Sequence, residues 1–249
     1  MGTGIALLVT SGGSAAALSL RNQSTRERVA CIITPFPERI TQTLRLFDSD
    51  CKAIVSLPYL ERENNEQYSN RILHILKARN ISYLVSCFCT RLLEGAILAA
   101  YKDRIFNIHP SLLPQFPGRH AFERWYKSGQ PVTGVTSHVI DETIDLGPPI
   151  QFSLMLRGSS ESSEVLRHRQ FEQEVKILIE LIGRIHLDSY LPIIGNQDAL
   201  NELHKRNSSQ LTKSTNSVYF PSLLISEAAE FSLDKELALI KRQTCSNSS

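Results

Sequence analysis

The 249-residue sequence lacks the features that mark several specialised classes of protein. Its 27 basic and 25 acidic residues nearly cancel, which excludes a polybasic nucleic-acid-binding surface or a disordered acidic tail as the main function. No apolar run approaches the roughly 18 residues that span a bilayer, and the N-terminus lacks the basic segment of a signal peptide. We therefore expect a cytoplasmic, soluble globular protein without nucleic-acid or membrane partners.

Cysteine is scarce, and the five cysteines are odd in number and irregularly spaced, which excludes the dense disulfide framework of a small secreted protein. Cys87 and Cys89 form a C-x-C pair in an apolar stretch, where strand alternation predicts that both lie on one face. Because no further metal-binding residues are close in the sequence, we expect no metal site, and reduced core thiols are the favoured interpretation.

Strand-like and helix-like segments alternate through the first half of the chain. The predicted strands are 5–10, 29–34, 53–55, 81–87 and 105–109; the predicted helices are 15–23, 64–79 with Asn80 as C-cap, and 92–100. This alternation is typical of an α/β protein with a mostly parallel, twisted sheet and helices on both faces.

The pattern changes in the second half of the chain. Two extended segments, 132–140 and 149–156, are joined by a turn-rich stretch, and a long amphipathic helix begins near Ser162. The composition becomes polar after Tyr190. We therefore predict one domain over 1–190 and an extension over 191–249, with a polar linker at about 206–217 and a terminal helix at 226–241.

A glycine-containing loop, Ser11-Gly12-Gly13-Ser14, follows the first predicted strand and precedes a helix. Backbone N–H groups at such a position can hold a phosphate, so Gly12, Gly13 and Ser14 are candidate substrate-binding residues. A tight turn without a ligand is an equally simple interpretation. The dinucleotide fingerprint G-x-G-x-x-G and a Walker lysine are both missing, which disfavours nucleotide cofactors of those kinds.

The segment Asn107-Ile108-His109 places two polar side chains on one face of a predicted strand, at its carboxyl end. Open α/β sheets hold their ligands at this edge. An amide N–H and an imidazole side by side can both donate hydrogen bonds to a developing oxyanion. An acidic residue of the loop after 140 can orient His109 and keep it charged, or relay a proton.

These segments also carry a family resemblance. Asn107-Ile108-His109-Pro110-Ser111-Leu112-Leu113-Pro114, followed by Asp145-Leu146-Gly147, resembles the signature of the 10-formyltetrahydrofolate-dependent formyltransferases. The resemblance covers about residues 4 to 185 and is strongest from Phe106 to Ile150. It implies the Rossmann-like formyltransferase fold, 10-formyltetrahydrofolate as co-substrate, and transfer of its formyl group to a primary amine, with glycinamide ribonucleotide favoured.

The resemblance also implies roles for individual residues. Asn107, His109 and Asp145 would form the catalytic trio. The folate would lie, largely through backbone contacts, against two segments comprising Arg91, Leu92 and Leu93 and then Asp141, Glu142, Thr143 and Ile144. Glu172, one turn after His168, resembles the acid that receives the acceptor's amino group, although a solvated carboxylate on a helix face is the alternative.

Three departures from the family pattern leave the acceptor open. The glycine loop is one residue shorter and lacks an asparagine, Phe88-Cys89-Thr90 precedes Arg91, and the C-terminal extension contains Val218-Tyr219-Phe220-Pro221. A nucleotide-linked amino sugar is the alternative acceptor. A formyltetrahydrofolate hydrolase is a less favoured alternative, because such relatives carry an N-terminal regulatory domain. A folate-binding protein without activity is also less favoured. We expect a monomer or a homodimer.

Overall fold

The computed structural model describes residues 4–87, 89–158 and 160–186, which form one seven-stranded sheet in the order β3-β2-β1-β4-β5-β6-β7. The strands are β1 (Gly4–Val9), β2 (Val29–Thr34), β3 (Ile54–Ser56), β4 (Ile81–Cys87), β5 (Ile105–His109), β6 (Val132–Val139) and β7 (Pro149–Leu156). The first five are parallel to one another, β6 pairs antiparallel with β5, and β7 pairs antiparallel with β6. The predicted mostly parallel sheet is confirmed.

Helices cover both faces of this sheet, as predicted. They are α1 (Ser14–Ser19), α2 (Gln23–Arg28), α3 (Pro37–Leu46), α4 (Asn65–Ala78), α5 (Ala96–Ala100), α6 (Ala121–Ser128) and α7 (Ser163–His186). Buried side chains of α1, α3 and α7 form a core on one face, and those of α4 and α5 form a second core on the other. We call these the α7 face and the α4 face.

The chain builds β2 and β3 outward from β1 and then returns to add β4 on the other side of β1. Connections after β1 and β4 therefore leave the sheet in opposite directions, which opens a crevice at the carboxyl ends of these two strands. The order of the strands thus sets the place of the candidate site.

The single helix predicted over 15–23 is wrong, because the chain forms two short helices there. Helix α1 ends at Ser19, and the side chain of Asn22 then caps α2 by accepting a hydrogen bond from the Thr25 backbone N–H at 3.0 Å. An asparagine that caps a new helix competes with continuation of the preceding one. The sequence analysis treated Asn22 as an ordinary helical residue.

Other helix boundaries also differ from the prediction. Helix α5 begins at Ala96 rather than residue 92, because Gly95 adopts a left-handed φ of 72° at its N-cap. Helices α3 and α6 were not predicted; Pro37 begins α3, where the fixed φ of proline fits the first turn. Helix α4 agrees with the prediction, but its C-cap is Arg79 rather than Asn80, which follows the cap with a left-handed φ of 52°.

The prediction that Cys87 and Cys89 share one face is wrong. Strand β4 ends at Cys87, which packs in the α7-face core, whereas Cys89 lies beyond the strand and packs against the α4-face core. Both belong to the four cysteines that are free thiols among the described residues. Burial raises the pKa of the Cys87 thiol to about 12, as expected for an unreactive core cysteine.

Several predictions lie outside the described residues: the extension over 191–249 with its linker and terminal helix, the segment Val218 to Pro221, and Cys245. No helix in the described part of the chain is long and apolar enough to cross a membrane. The cytoplasmic location and the monomeric or homodimeric state stay predictions.

Candidate active site

Three polar side chains form a row across the carboxyl end of the sheet. Asn107 on β5 pairs in register with Ser86 on the parallel strand β4 and with His138 on the antiparallel strand β6. Residues in register on adjacent strands project from the same face. Asn107 and His138 are in contact, because the Asn107 Nδ2 lies 3.2 Å from the His138 Nε2.

The hydrogen bonds of His138 determine how the Asn107 amide is oriented. The His138 Nδ1 lies 2.9 Å from the Val139 carbonyl oxygen, which can only accept, so we assign the ring proton of neutral His138 to Nδ1. Nε2 then accepts a hydrogen bond from the Asn107 amide. One amide N–H is used in this way, and the second is available to a ligand.

His138 is a site residue that the sequence analysis missed. It is only 2% exposed, and its Nε2 lies 3.6 Å from Oδ1 of Asp145. The sequence feature that could have indicated His138 is its two-residue spacing from Thr136 in an extended segment. Pairing with Asn107 depends on the antiparallel register of β5 and β6, which a single sequence does not reveal.

Asp145 joins this row to His109. The Asp145 Oδ2 lies 3.3 Å from the His109 Nδ1 and accepts a hydrogen bond from the Gly118 backbone N–H at 2.7 Å. The His109 Nε2 lies 2.9 Å from the Phe116 carbonyl oxygen. The structure therefore brings the three predicted catalytic residues together, with His138 between Asn107 and Asp145.

Burial and hydrogen bonding shift the pKa values of this pair. Burial alone raises the pKa of Asp145, but the neighbouring imidazoles of His138 and His109 and the hydrogen bond from the Gly118 N–H together lower it to about 2. Burial lowers the pKa of His109 below its usual 6.5, and the opposing effect of the Asp145 carboxylate is smaller. The expectation that Asp145 keeps His109 charged at neutral pH is therefore wrong for the free protein.

A cavity of about 310 Å³ opens over Asn107 on the α4 face, and we call it the Asn107 cavity. Its lining comprises Ser86, Cys89, Arg91, Leu92, Leu93, Glu94, Asn107, His138, Ile140, Asp141, Glu142, Thr143, Ile144 and Asp145. The seven residues predicted to contact a folate all belong to this lining, as do two members of the catalytic trio. His109 does not line the cavity, but it contacts Asp145, which does.

The Arg91 side chain is already engaged on the protein side of the Asn107 cavity. Its guanidinium lies 3.3 Å from the Glu63 carboxylate and about 5 Å from the ring centres of Tyr59 and Tyr68. An ion pair and two cation–π contacts hold the group in this position. A ligand of the Asn107 cavity would therefore meet mainly the backbone of the segment that starts at Arg91.

A second cavity, of about 770 Å³, lies on the α7 face, and we call it the α7 cavity. Its lining comprises Val9, Ser11, Gly12, Gly13, Ser14, Ala15, Ala16, Cys87, Phe122, Glu123, Ser163, Glu164, Arg167, His168, Phe171 and Glu174. The predicted substrate-binding residues Gly12, Gly13 and Ser14 all lie here. The two cavities lie on opposite faces of the sheet at the carboxyl end of β4, because the consecutive residues Ser86 and Cys87 each line a different one.

Glu172, the fourth predicted substrate-binding residue, is not brought into this cavity. Its carboxylate lies 3.4 Å from the His168 Nε2 on α7. The α7 residues in the lining repeat every three to four positions and end at Glu174, whereas Glu172 is two residues earlier and lies about 160° from Glu174 around the helix. Glu174 is 5% exposed, and burial raises its pKa to about 8, so its carboxyl is mostly neutral at pH 7.

The conformation of the loop that carries Asp145 requires a glycine at position 147. An added Cβ at Gly147 would lie 2.0 Å from the Val139 carbonyl oxygen, so Gly147→Ala must displace the backbone beside Asp145. We expect the free energy of unfolding to fall by about 1–3 kcal/mol, as for other overpacked sites, and kcat to fall with it. Urea denaturation and steady-state assays measure both.

Gly183→Ala in α7 is the matched control, because a Cβ there meets no atom within 4 Å. It is expected to raise the free energy of unfolding by roughly 0.5–1 kcal/mol, since alanine is the better helix former. Equal stability of Gly147→Ala and the wild type would show that the loop is not fixed at this glycine.

No group of three or more metal-binding side chains occurs within 4–87, 89–158 and 160–186. What the site offers instead is an oriented amide, a carboxylate and a buried imidazole between two cavities. Such groups can donate a hydrogen bond to a developing oxyanion and move a proton.

Comparison with known proteins gives a family and several relatives. A family model described as formyl transferase matches residues 4–182. The phosphoribosylglycinamide formyltransferase of Bacillus subtilis is 31% identical over 125 residues, 49% of this chain and 64% of the relative. The mitochondrial formyltetrahydrofolate deformylase 2 of Arabidopsis thaliana is 29% identical over 134 residues, 51% of this chain and 40% of the relative. Both alignments span less than two thirds of the relative.

Among solved structures, phosphoribosylglycinamide formyltransferase from Bacillus halodurans superposes with a TM-score of 0.64 at 28% identity. The alignment covers 74% of this chain and 95% of that structure. The predicted Rossmann-like fold is thereby confirmed.

Proposed function

The chain belongs to the formyl transferase family, and on that premise we propose that it transfers a formyl group from 10-formyltetrahydrofolate to a primary amine. The observation that carries this proposal is the convergence of Asn107, His138, Asp145 and His109 through separations of 3.2, 3.6 and 3.3 Å. Three of these residues, Asn107, His138 and Asp145, share a cavity with the whole predicted folate-binding set.

The chemistry follows from the geometry of the polar row. The amine nitrogen attacks the formyl carbon, and negative charge develops on the formyl oxygen. The free N–H of Asn107 donates a hydrogen bond to that oxygen, and His138 holds the amide in the required orientation. The tetrahedral intermediate then collapses, the bond to the folate nitrogen breaks, and the amine leaves formylated.

One proton must move from the attacking amine to the folate nitrogen. Asp145, with a pKa of about 2, is ionised and a poor base. Neutral His109 is the better proton acceptor. Because it does not line the Asn107 cavity, the proton reaches its Nδ1 through the Asp145 carboxylate at 3.3 Å, and that carboxylate then stabilises the imidazolium. Asp145 therefore orients His109 and stabilises its charged form.

We propose glycinamide ribonucleotide as the acceptor, bound in the α7 cavity. The glycine loop and helix α7 form this cavity beside the end of β4, one residue away from the Asn107 cavity. Glu174 is its most buried polar group, and we assign to it the contact with the acceptor previously expected of Glu172. The relatives named phosphoribosylglycinamide formyltransferase support this choice of acceptor.

Gly12→Asp tests the acceptor. A Cβ at Gly12 meets no atom within 4 Å, so the variant is expected to fold. Gly13 is less suitable, because a Cβ there would lie 2.5 Å from Ile40 and its φ of 79° is unfavourable for other residues. A carboxylate at position 12 should repel the acceptor's phosphate and raise its KM about tenfold or more, with the KM for 10-formyltetrahydrofolate unchanged.

Gly12→Ala is the control and should keep the wild-type KM for both substrates, because it adds volume without charge. An unchanged KM of Gly12→Asp for glycinamide ribonucleotide would remove that acceptor from the α7 cavity. A wild-type protein that ignores glycinamide ribonucleotide and formylates a nucleotide-linked amino sugar would establish the alternative acceptor.

A further inference from the structure

Arg167 on α7 is the only lysine or arginine in the described lining of the α7 cavity. It stands at the exposed rim, where its guanidinium lies 4.9 Å from the ring centre of Phe122. Arginine presents a planar set of N–H donors that matches the oxygen atoms of a phosphate. Arg167 is therefore the side chain of this cavity that is best suited to an anionic group.

Gln170, one turn further along α7, fixes the position of Arg167. The Arg167 Nη1 donates a hydrogen bond to the Gln170 Oε1 at 3.1 Å. The Gln170 Nε2 donates to the carbonyl oxygens of Pro110 at 2.8 Å and Gly134 at 3.2 Å. Because both carbonyls can only accept, the Gln170 oxygen must face Arg167.

Gln170 has no exposed surface, so its three hydrogen bonds are protected from water. A buried amide with all these groups satisfied is rigid, and a rigid partner reduces the entropy lost when Arg167 binds a ligand. The same amide also anchors the backbone directly after His109, through Pro110. Gln170 therefore holds both Arg167 in the α7 cavity and the backbone at the end of β5, where His109 lies.

Glu174 independently indicates that this cavity receives a polar ligand. It is 5% exposed, lines the cavity and forms no hydrogen bond with the described residues. A buried polar group without a hydrogen bond is costly unless a ligand supplies one. Arg167 and Glu174 line the same cavity from one helix, and the charge of Arg167 is the effect that opposes the burial of the Glu174 carboxyl.

We propose that Arg167, held in place by Gln170, is the specificity-determining residue that selects an acceptor with a phosphate group. This inference rests on the proposed function and names a contact that the glycine loop alone does not provide. Two exposed acids, Glu123 and Glu164, also line the cavity, so selection depends on the fixed position of Arg167 rather than on net charge.

Binding of ribose 5-phosphate, measured by isothermal titration calorimetry without folate, tests the proposal. Arg167→Met keeps much of the aliphatic stem and is expected to raise the Kd about 10- to 100-fold, the range of a hydrogen bond to a charged group. Lys176→Met removes an exposed positive charge from the same helix outside the cavity and should leave the Kd unchanged. An equal increase in Kd for both variants, or no increase for either, would overturn the proposal.

A double-mutant cycle tests the role of Gln170. Gln170→Met should also weaken ribose 5-phosphate binding, and the Arg167→Met/Gln170→Met double variant should bind no worse than Arg167→Met alone, because Gln170 acts through Arg167. Additive losses would show that Gln170 does not position Arg167. Should Gln170→Met fail to fold, Arg167→Lys still tests the contact, since it keeps the charge but loses the planar donors and is expected to bind more weakly.

Turnover separates this proposal from the proposed function. A wild type that formylates glycinamide ribonucleotide, with an unchanged acceptor KM in Arg167→Met, would refute the role of Arg167 and leave the proposed function standing. A wild type that binds ribose 5-phosphate through Arg167 but formylates no amine would refute the proposed function and leave the anion site standing.

Discussion

Replacement of Asn107 by alanine is expected to lower kcat for formyl transfer by about 10²–10³-fold, the usual effect of removing one preorganised oxyanion donor. Asn107 lines the cavity assigned to the folate, and its second N–H is unused because His138 accepts only the first. The KM values should change less, since the developing charge is larger in the transition state than in the bound substrate.

Asn70→Ala on helix α4 is the matched control for this variant, because it removes an amide that lines neither cavity. Its kcat should stay within about twofold of the wild type, since a surface substitution of this kind has little effect on a distant site. Normal folding and near wild-type turnover of Asn107→Ala would contradict the assignment of the oxyanion donor.

Asp145→Asn is expected to lower kcat by at least about 10², because the amide can no longer stabilise the imidazolium form of His109. Asparagine is the appropriate replacement, since residue 145 has a φ of 54° and asparagine tolerates this left-handed conformation better than alanine. A loss confined to KM, with kcat unchanged, would place Asp145 in substrate binding rather than in proton transfer.

The same variant has a defined pH dependence of stability. Asp145 has a pKa of about 2 in the folded protein against 3.8 ordinarily, so its ionised form stabilises the fold by about 2 kcal/mol above pH 4. This contribution disappears as the pH falls from about 4 towards 2. Urea denaturation should therefore show Asp145→Asn to be less stable than the wild type at pH 7, with the difference decreasing at pH 3.

A difference in unfolding free energy that stays constant between pH 7 and pH 3 would contradict the lowered pKa. The two variants together, at Asn107 and Asp145, separate the oxyanion donor from the group that supports proton transfer.

The sequence was sufficient to predict the parallel half of the sheet, because buried parallel strands are short apolar runs and their helices have a clear period. Strand β5 with Asn107 and His109 was predicted at its observed bounds. The predicted helix bounds are wrong where a single residue interrupts the helical spacing of the apolar side chains. Asn22 caps a second helix, and Gly95 delays the start of α5.

Contacts between distant segments were harder to predict. The antiparallel register that sets His138 opposite Asn107 leaves no trace in either segment alone. The position of Glu174 rather than Glu172 in the α7 cavity depends on how the helix is rotated about its axis, and both carboxylates fit the sequence pattern equally well. Burial also lowers the pKa of His109 and so disfavours its charged form, an effect of the assembled fold that the sequence does not display.

The most direct test of the proposed function follows the formyl carbon. The protein is incubated with 10-formyltetrahydrofolate labelled with ¹³C in its formyl group, with and without glycinamide ribonucleotide, and the products are identified by NMR. We expect the label to appear as the formamide of the ribonucleotide, in equal amount to the tetrahydrofolate released, and to remain on the folate when the amine is absent. Release of labelled formate regardless of the amine, or retention of the label on the folate in both reactions, would contradict the proposed transfer.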